Sequence, residues 1–263
     1  MLKLFLVWVL SHNKSLKKYF YILILTVVFT SCSNEGEDGY TPVALDLEIP
    51  EIFSNTIIPP VIPSDNPQTV EGVALGKRLF FDRILSSDQS IACASCHRPQ
   101  NAFTDDRQTS AGVDGIFGVR NSMPIFNLAW NYNERFAWDG KELSLERQAL
   151  EPVENPVEMH SDWGDVVDRL SNHPEYPELF RRAFNSSSIT KELTTKAIAQ
   201  FERTLISANS KFDRYSLGEA TLTPQELNGL DVFLREDKGD CFHCHGNPNN
   251  PLWTDNDFHN NGL

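Results

Sequence analysis

Cysteine is scarce in this chain, five in 263 residues, and four of the five fall into two pairs of identical spacing. Cys93 and Cys96 stand in "IACASCHRPQ", Cys241 and Cys244 in "DCFHCHG". None is left over to cross-link distant parts of the chain, so a disulfide-stapled scaffold is excluded. Basic residues are also in deficit: 23 Lys and Arg face 36 Asp and Glu, a formal net charge of -13. The first 31 residues hold four lysines and no acid, which leaves -17 on the remainder. Such an acidic surface excludes nucleic acid as a partner and favours a basic one. Sustained polar–apolar alternation is missing as well, so no substantial sheet is predicted.

The apolar run from Tyr19 to Thr30 is too short for a membrane span, and a lysine-rich start precedes it. Residues 1–31 are predicted to be a signal peptide. Its "FTSC" ending resembles a bacterial lipobox, which makes Cys32 a lipid-bearing residue and the protein an exported, periplasmic, membrane-anchored one. The alternative is an ordinary cleaved signal with an incidental cysteine.

What remains is C-x-x-C-H, twice. Two thiols one helical turn apart can add across the two vinyl groups of a haem while the next residue, an imidazole, reaches the iron. Zinc would want four ligands gathered in one site, and a redox pair has no use for the histidine. The reading is therefore two covalently bound haem c groups, on Cys93 and Cys96 with His97 as iron ligand, and on Cys241 and Cys244 with His245. His243 lies between the second pair and is out of place for the ligand.

Residues 32–66 are polar and proline-rich and read as a tether followed by an extended strap. Helices are expected over "GVALGKRLFF", over "DWGDVVDRL" with Ser161 as cap, and over residues 191–207, where Leu193, Ala197, Phe201 and Leu205 share one face. "TPQELNGLDVFLRED" carries Thr223 as N-cap, Pro224 at the first position and Glu226 at the capping-box position. The predicted fold is mainly α.

The segments "ALGKRLFFD", "SIACASCH", "GVRNSMPIFN", "LERQALEPVENPVEM", "AIAQFERTLISANSKFDRY" and "CFHCH", with "WDG" at 138–140, resemble the bacterial dihaem cytochrome c peroxidase family, whose relatives include the enzyme that matures tryptophan tryptophylquinone. The resemblance implies two cytochrome c-like domains: a peroxide-reacting one over 67–208 and a partial electron-transfer one over 209–263. It further implies that Glu158 is the carboxylate above the first haem, supported by Gln148, that Trp138 relays charge between haems, and that Asn121 is a candidate calcium ligand. For Asn121 the alternative is a loop cap, and for Trp138 packing under its turn. Many family members place a histidine where this chain has Val113; no histidine occurs from 98 to 159, so an open sixth position on the first iron is expected. Beyond His245 there is neither methionine nor tyrosine, and His259 is a poor substitute, so the second domain is expected to be truncated.

The implied activity is reduction of hydrogen peroxide with electrons from a small c-type cytochrome. The alternatives are a dihaem oxidase of a protein or organic substrate and a non-enzymatic electron carrier. A homodimer is a candidate assembly.

Overall fold

One face of the helix in "VEGVALGKRLFF" carries no side chains, because Gly72 and Gly76 stand one turn apart on it. The computed structural model describes residues 39–54, 56–260 and 262; the predicted signal peptide and Cys32 lie outside them. In chain order the α-helices are α1 Glu51–Ser54, α2 Val70–Phe81, α3 Cys93–Cys96, α4 Leu145–Gln148, α5 Glu151–Glu154, α6 Trp163–Ser171, α7 Tyr176–Phe184, α8 Lys191–Arg203, α9 Lys211–Ser216, α10 Pro224–Leu234 and α11 Phe242–His245. Among the described residues strand pairing is confined to isolated bridges such as Arg98 with Thr104. The chain is mainly α, as expected, and Thr41–Leu263 forms one unit.

The bare face of α2 receives α8. A methyl group on Gly76 would stand 1.8 Å from the Ala197 carbonyl oxygen, so there backbone approaches backbone where only hydrogen fits; one on Gly72 would stand 2.1 Å from Gln200 Oε1, so that glycine makes room for the glutamine side chain. Around this crossing Leu75, Leu79 and Phe80 of α2 meet Ala197, Ile198 and Phe201 of α8, with Val166 and Leu170 of α6 and Phe180 of α7 completing the core. Phe80 touches Phe201 at 5.2 Å between ring centroids and Phe103, in the loop after α3, at 6.3 Å.

The strap is tied across this pair by buried amides. Gln68 Nε2 donates to the Gln200 carbonyl (2.8 Å), the Thr69 amide donates to Gln200 Oε1 (3.0 Å), and Gln200 Nε2 donates to Asn66 Oδ1 (2.9 Å). Gln200 is engaged at both its oxygen and its nitrogen and so fixes one register, whereas Gln68 leaves its Oε1 buried without a partner. Further back, Phe53 packs edge-on against the buried Trp130 at 4.9 Å.

Two helix boundaries differ from expectation. Asp162, not Ser161, caps α6, accepting from Gly164 N; the Ser161 hydroxyl is taken by Arg169 Nη2 at 2.6 Å. α8 ends at Arg203 rather than at 207, because the Thr204 hydroxyl donates to the Phe201 carbonyl and the chain then pairs with Asn127, whose amide donates to Leu205 O and whose Oδ1 accepts from Ser207 N. α10 forms as expected with its capping box, but none of its residues is fully buried. Phe233 leans on Trp253 at 5.5 Å, and Leu227 stays 43% exposed.

Gly76→Ala is expected to destabilise the fold by about 3 kcal/mol or more, since backbone must move to admit the methyl. Gly229→Ala in α10, where nothing lies within 4 Å, should be neutral or slightly stabilising. Denaturant midpoints of the two variants check the contrast.

Candidate functional site

The first cysteine pair occupies a single turn. The Ser95 hydroxyl accepts from the Ala92 amide (3.0 Å) to close the start of α3, and Arg98 Nε donates back to Ser95 O (3.2 Å). Cys93, Cys96 and His97 line a cavity of about 310 Å³. Ile91, Ile125, Val153, Met159 and Ile198 supply an apolar wall, while Gln148, Glu158, Trp138, Lys141 and Glu151 line it with polar groups.

His97 Nδ1 lies 3.0 Å from both the Phe103 and the Met123 carbonyl oxygens. It therefore carries the proton and donates, which leaves Nε2 with its lone pair free to ligate. Burial lowers the imidazole pKa against the pull of those two carbonyls, so the ring is neutral at pH 7. Burial, aided by the nearby Glu202, pushes the Cys93 thiol up to about 12, and burial raises Cys96 too. Thiols that hold their protons are poor zinc ligands and poor redox nucleophiles. Two sulfurs on one turn, an imidazole with Nε2 available and an apolar wall fit a covalent haem.

Glu158 sits on a turn built by Asn155, whose carbonyl accepts from Glu158 N (3.0 Å) and whose Nδ2 donates to Glu158 Oε1 (2.9 Å). The loop over residues 110–122 docks on this turn. Val113 N donates to the Glu158 carbonyl (2.9 Å), and Gly112 lies so close that a Cβ would be 2.4 Å from the Val157 carbonyl oxygen. Protein packed around the Glu158 carboxyl raises its pKa, the Glu151 charge adds to this, and Asn155 and Lys141 oppose it.

Trp138 is 51% exposed, so it is not packed beneath its turn; its Nε1 donates to Asn121 O at 2.7 Å. Gln148 closes α4 and lines the cavity. Asn121 has the geometry of a loop cap: Oδ1 accepts from Thr104 Oγ1 (2.9 Å) and Nδ2 donates to Arg107 O (2.7 Å). Among the described residues no group of three His, Cys, Asp or Glu is placed to hold a metal ion.

At the second pair, α11 carries the motif and the His245 amide donates to Cys241 O (3.0 Å). Cys244 and His245 are exposed. His243 is engaged elsewhere, with Nδ1 2.7 Å from Asp240 Oδ1 and its ring stacked on Phe242. His259 is likewise held, by Asp255 at 2.7 Å.

Two residues of this region escaped the sequence reading. Glu202 follows Ile198 by four positions on α8, so both line the cavity. Burial pushes its carboxyl up to about 8 against the neighbouring Arg203 cation, and the charge of Glu146 adds to the rise. Its Oε2 has no hydrogen-bond partner, because Arg203 turns away to Glu146 at 2.8 Å. The signal was an acid on the apolar stripe of a helix. Asp105, its side chain wholly buried, accepts from Arg107 N (3.1 Å), Nε (3.2 Å) and Nη2 (2.9 Å) and from Ser110 Oγ (2.7 Å). Burial alone would raise its pKa, but these donors outweigh it and hold the carboxyl well below the usual range.

Fold and site together define a helical protein in which a C-x-x-C-H turn lines a largely apolar cavity. The family described as di-haem cytochrome c peroxidase matches residues 70–221, and the chain belongs to that family. A methylamine utilization protein MauG of Methylophilus methylotrophus is 36% identical over 204 residues, 76% of this chain and 59% of its own. The cytochrome-c peroxidase IdrP1 of a Pseudomonas strain is 36% identical over 258 residues, 97% of this chain and 63% of its own. The crystal structure of a MauG-like protein associated with microbial copper homeostasis superposes with a TM-score of 0.70 at 34% identity, covering 78% of this chain and 59% of that one. The chain thus spans between half and two thirds of the length of these relatives.

The Glu202 carboxyl rises from an ordinary 4.5 to about 8, so the folded state binds this proton more tightly than the unfolded one. Its contribution is intact below the ordinary value and is lost as pH climbs through the folded one. Glu202→Gln has no such proton to lose, and its unfolding midpoint should gain on the parent's from about pH 5 to pH 8. A constant difference across that range would count against a buried neutral acid.

Proposed function

We propose that the chain reduces hydrogen peroxide to water at a haem c held by Cys93, Cys96 and His97. Electrons come from a small c-type cytochrome by way of a second haem c on Cys241, Cys244 and His245. The observation that carries this reading is Glu158, a carboxyl of raised pKa on the wall of the cavity that the cysteine turn also lines. Bound haem supplies the redox chemistry: H2O2 takes up two electrons and two protons to give two waters.

The chain's own residues manage the protons. Asn155 fixes Glu158 Oε1, leaving Oε2 to accept a proton from one peroxide oxygen and return it to the other, as cleavage of the O–O bond requires. Gln148 would orient the bound peroxide from the adjoining wall. Val113, whose amide is tied to the Glu158 carbonyl, stands where many family members carry a histidine, and its apolar side chain would offer no nitrogen to compete with peroxide. Trp138, half-exposed at the cavity, suits a relay from the second haem.

In this reading residues 67–208 are the peroxide-reacting domain and 209–263 belong to an electron-receiving one. The acidic surface would draw a basic donor, less so as salt rises. Export and anchoring through Cys32 would place the reaction in the periplasm at a membrane. A calcium ion at Asn121 would require its Oδ1 to give up Thr104.

An oxidase of a protein or organic substrate is the second reading, favoured by the exposure of Trp138 and by the MauG relatives. One assay separates them: turnover of peroxide with reduced small cytochrome. Mass spectrometry should first find haem on both cysteine pairs; an unmodified Cys93–Cys96 peptide from cells with a working attachment system ends the proposal. Glu158→Gln should then keep both haems and lose roughly 10²-fold in turnover. Trp138→Phe should slow inter-haem transfer while leaving peroxide binding intact.

A further inference from the structure

Three residues, Asn121, Ser122 and Met123, touch both ends of the proposed machinery. The Met123 carbonyl accepts from His97 Nδ1 at 3.0 Å, and the Asn121 carbonyl accepts from Trp138 Nε1 at 2.7 Å. Neither acceptor belongs to a helix or strand, so something must hold this segment.

The holding groups converge on Asp105. Its Oδ2 accepts from Ser110 Oγ (2.7 Å), which in turn meets Ser122 Oγ (2.8 Å). Both its oxygens are engaged by Arg107, whose carbonyl receives Asn121 Nδ2 (2.7 Å). Thr104, one residue earlier, donates its hydroxyl to Asn121 Oδ1 and to the Ser122 carbonyl. Arg98, next to His97, approaches Asp105 at 4.0 Å while bonding Asp106 (2.9 Å) and Ser95 O (3.2 Å). The segment is thus fixed through a carboxylate whose side chain has no exposure.

We propose that Asp105 is a positioning residue that locks segment 121–123, so that the His97 imidazole and the Trp138 indole are set by one rigid unit. A weaker Nδ1–H···O bond makes imidazole a poorer donor to a metal, and the same loosening would release the indole. Ligand strength at His97 and charge relay at Trp138 therefore change together. This rests on the haem reading above.

The test uses the full chain with both haems attached. Asp105→Asn should keep both haems, lower the ferrous iron–imidazole stretching frequency of the first haem, and slow inter-haem electron transfer by ~10-fold, the scale for loss of a residue behind a metal ligand. If Asp105→Asn does not fold or does not take up the first haem, Ser110→Ala, which removes the hydroxyl joining Asp105 to Ser122, should shift both readouts in the same direction. A folded, fully haem-loaded variant in which neither readout moves, or only one does, overturns the proposal. Absence of haem from Cys93 and Cys96 in the parent protein would instead overturn the haem reading, and this inference with it.

Discussion

The close crossing of α2 and α8 is the constraint on which the rest depends. Gly76 lets α8 settle with its backbone on α2 while Gly72 admits the Gln200 side chain, and that depth decides where every other face of α8 points. Ala197 and Phe201 are committed to the core, Ile198 belongs to both the core and the cavity wall, and Glu202 is left for the wall. Phe80, fixed by the same crossing, meets Phe103, one of the two residues whose carbonyls accept from His97 Nδ1. Any side chain on the α2 face would push α8 outward and widen the cavity along with it.

Polar groups inside this frame divide by how fully they are satisfied. Gln200 and Asp105 are saturated with partners and act as fasteners, one for the strap and one for the loop after the first motif. Glu202 is buried with an oxygen unpaired and holds its proton instead. Glu158 differs from both: it is solvent-accessible at the cavity mouth, with one oxygen held by Asn155 and the other available.

Much of this was legible in the chain itself. Periodicity gave α2, α8 and α10, the capping box at Thr223 was formed as read, and the first cysteine pair lies on one helical turn as its spacing implied. The errors were local: Asp162 outcompeted Ser161 as a cap because its carboxylate reaches Gly164 N, and α8 stopped early because Asn127 captures the following backbone. The exposure of Trp138 and the loop-cap bonding of Asn121 needed coordinates, since both depend on residues far off in sequence. Asp105 could not be singled out from "TDDRQTS", where an Asx turn on the surface would look the same; only its burial distinguishes it.

The amides around Gln200 also bear on the order in which the chain can close. They join residues separated by 131 to 134 positions, so a chain threaded amino end first carries its strap long before α8 arrives to receive it. The turn bearing Cys93 and Cys96 emerges in that interval, while the wall that Ile198 and Glu202 will form is still absent. Late closure by Gln200 would leave the two thiols open to solvent first and sheltered afterwards, making one buried glutamine the latch of the sequence.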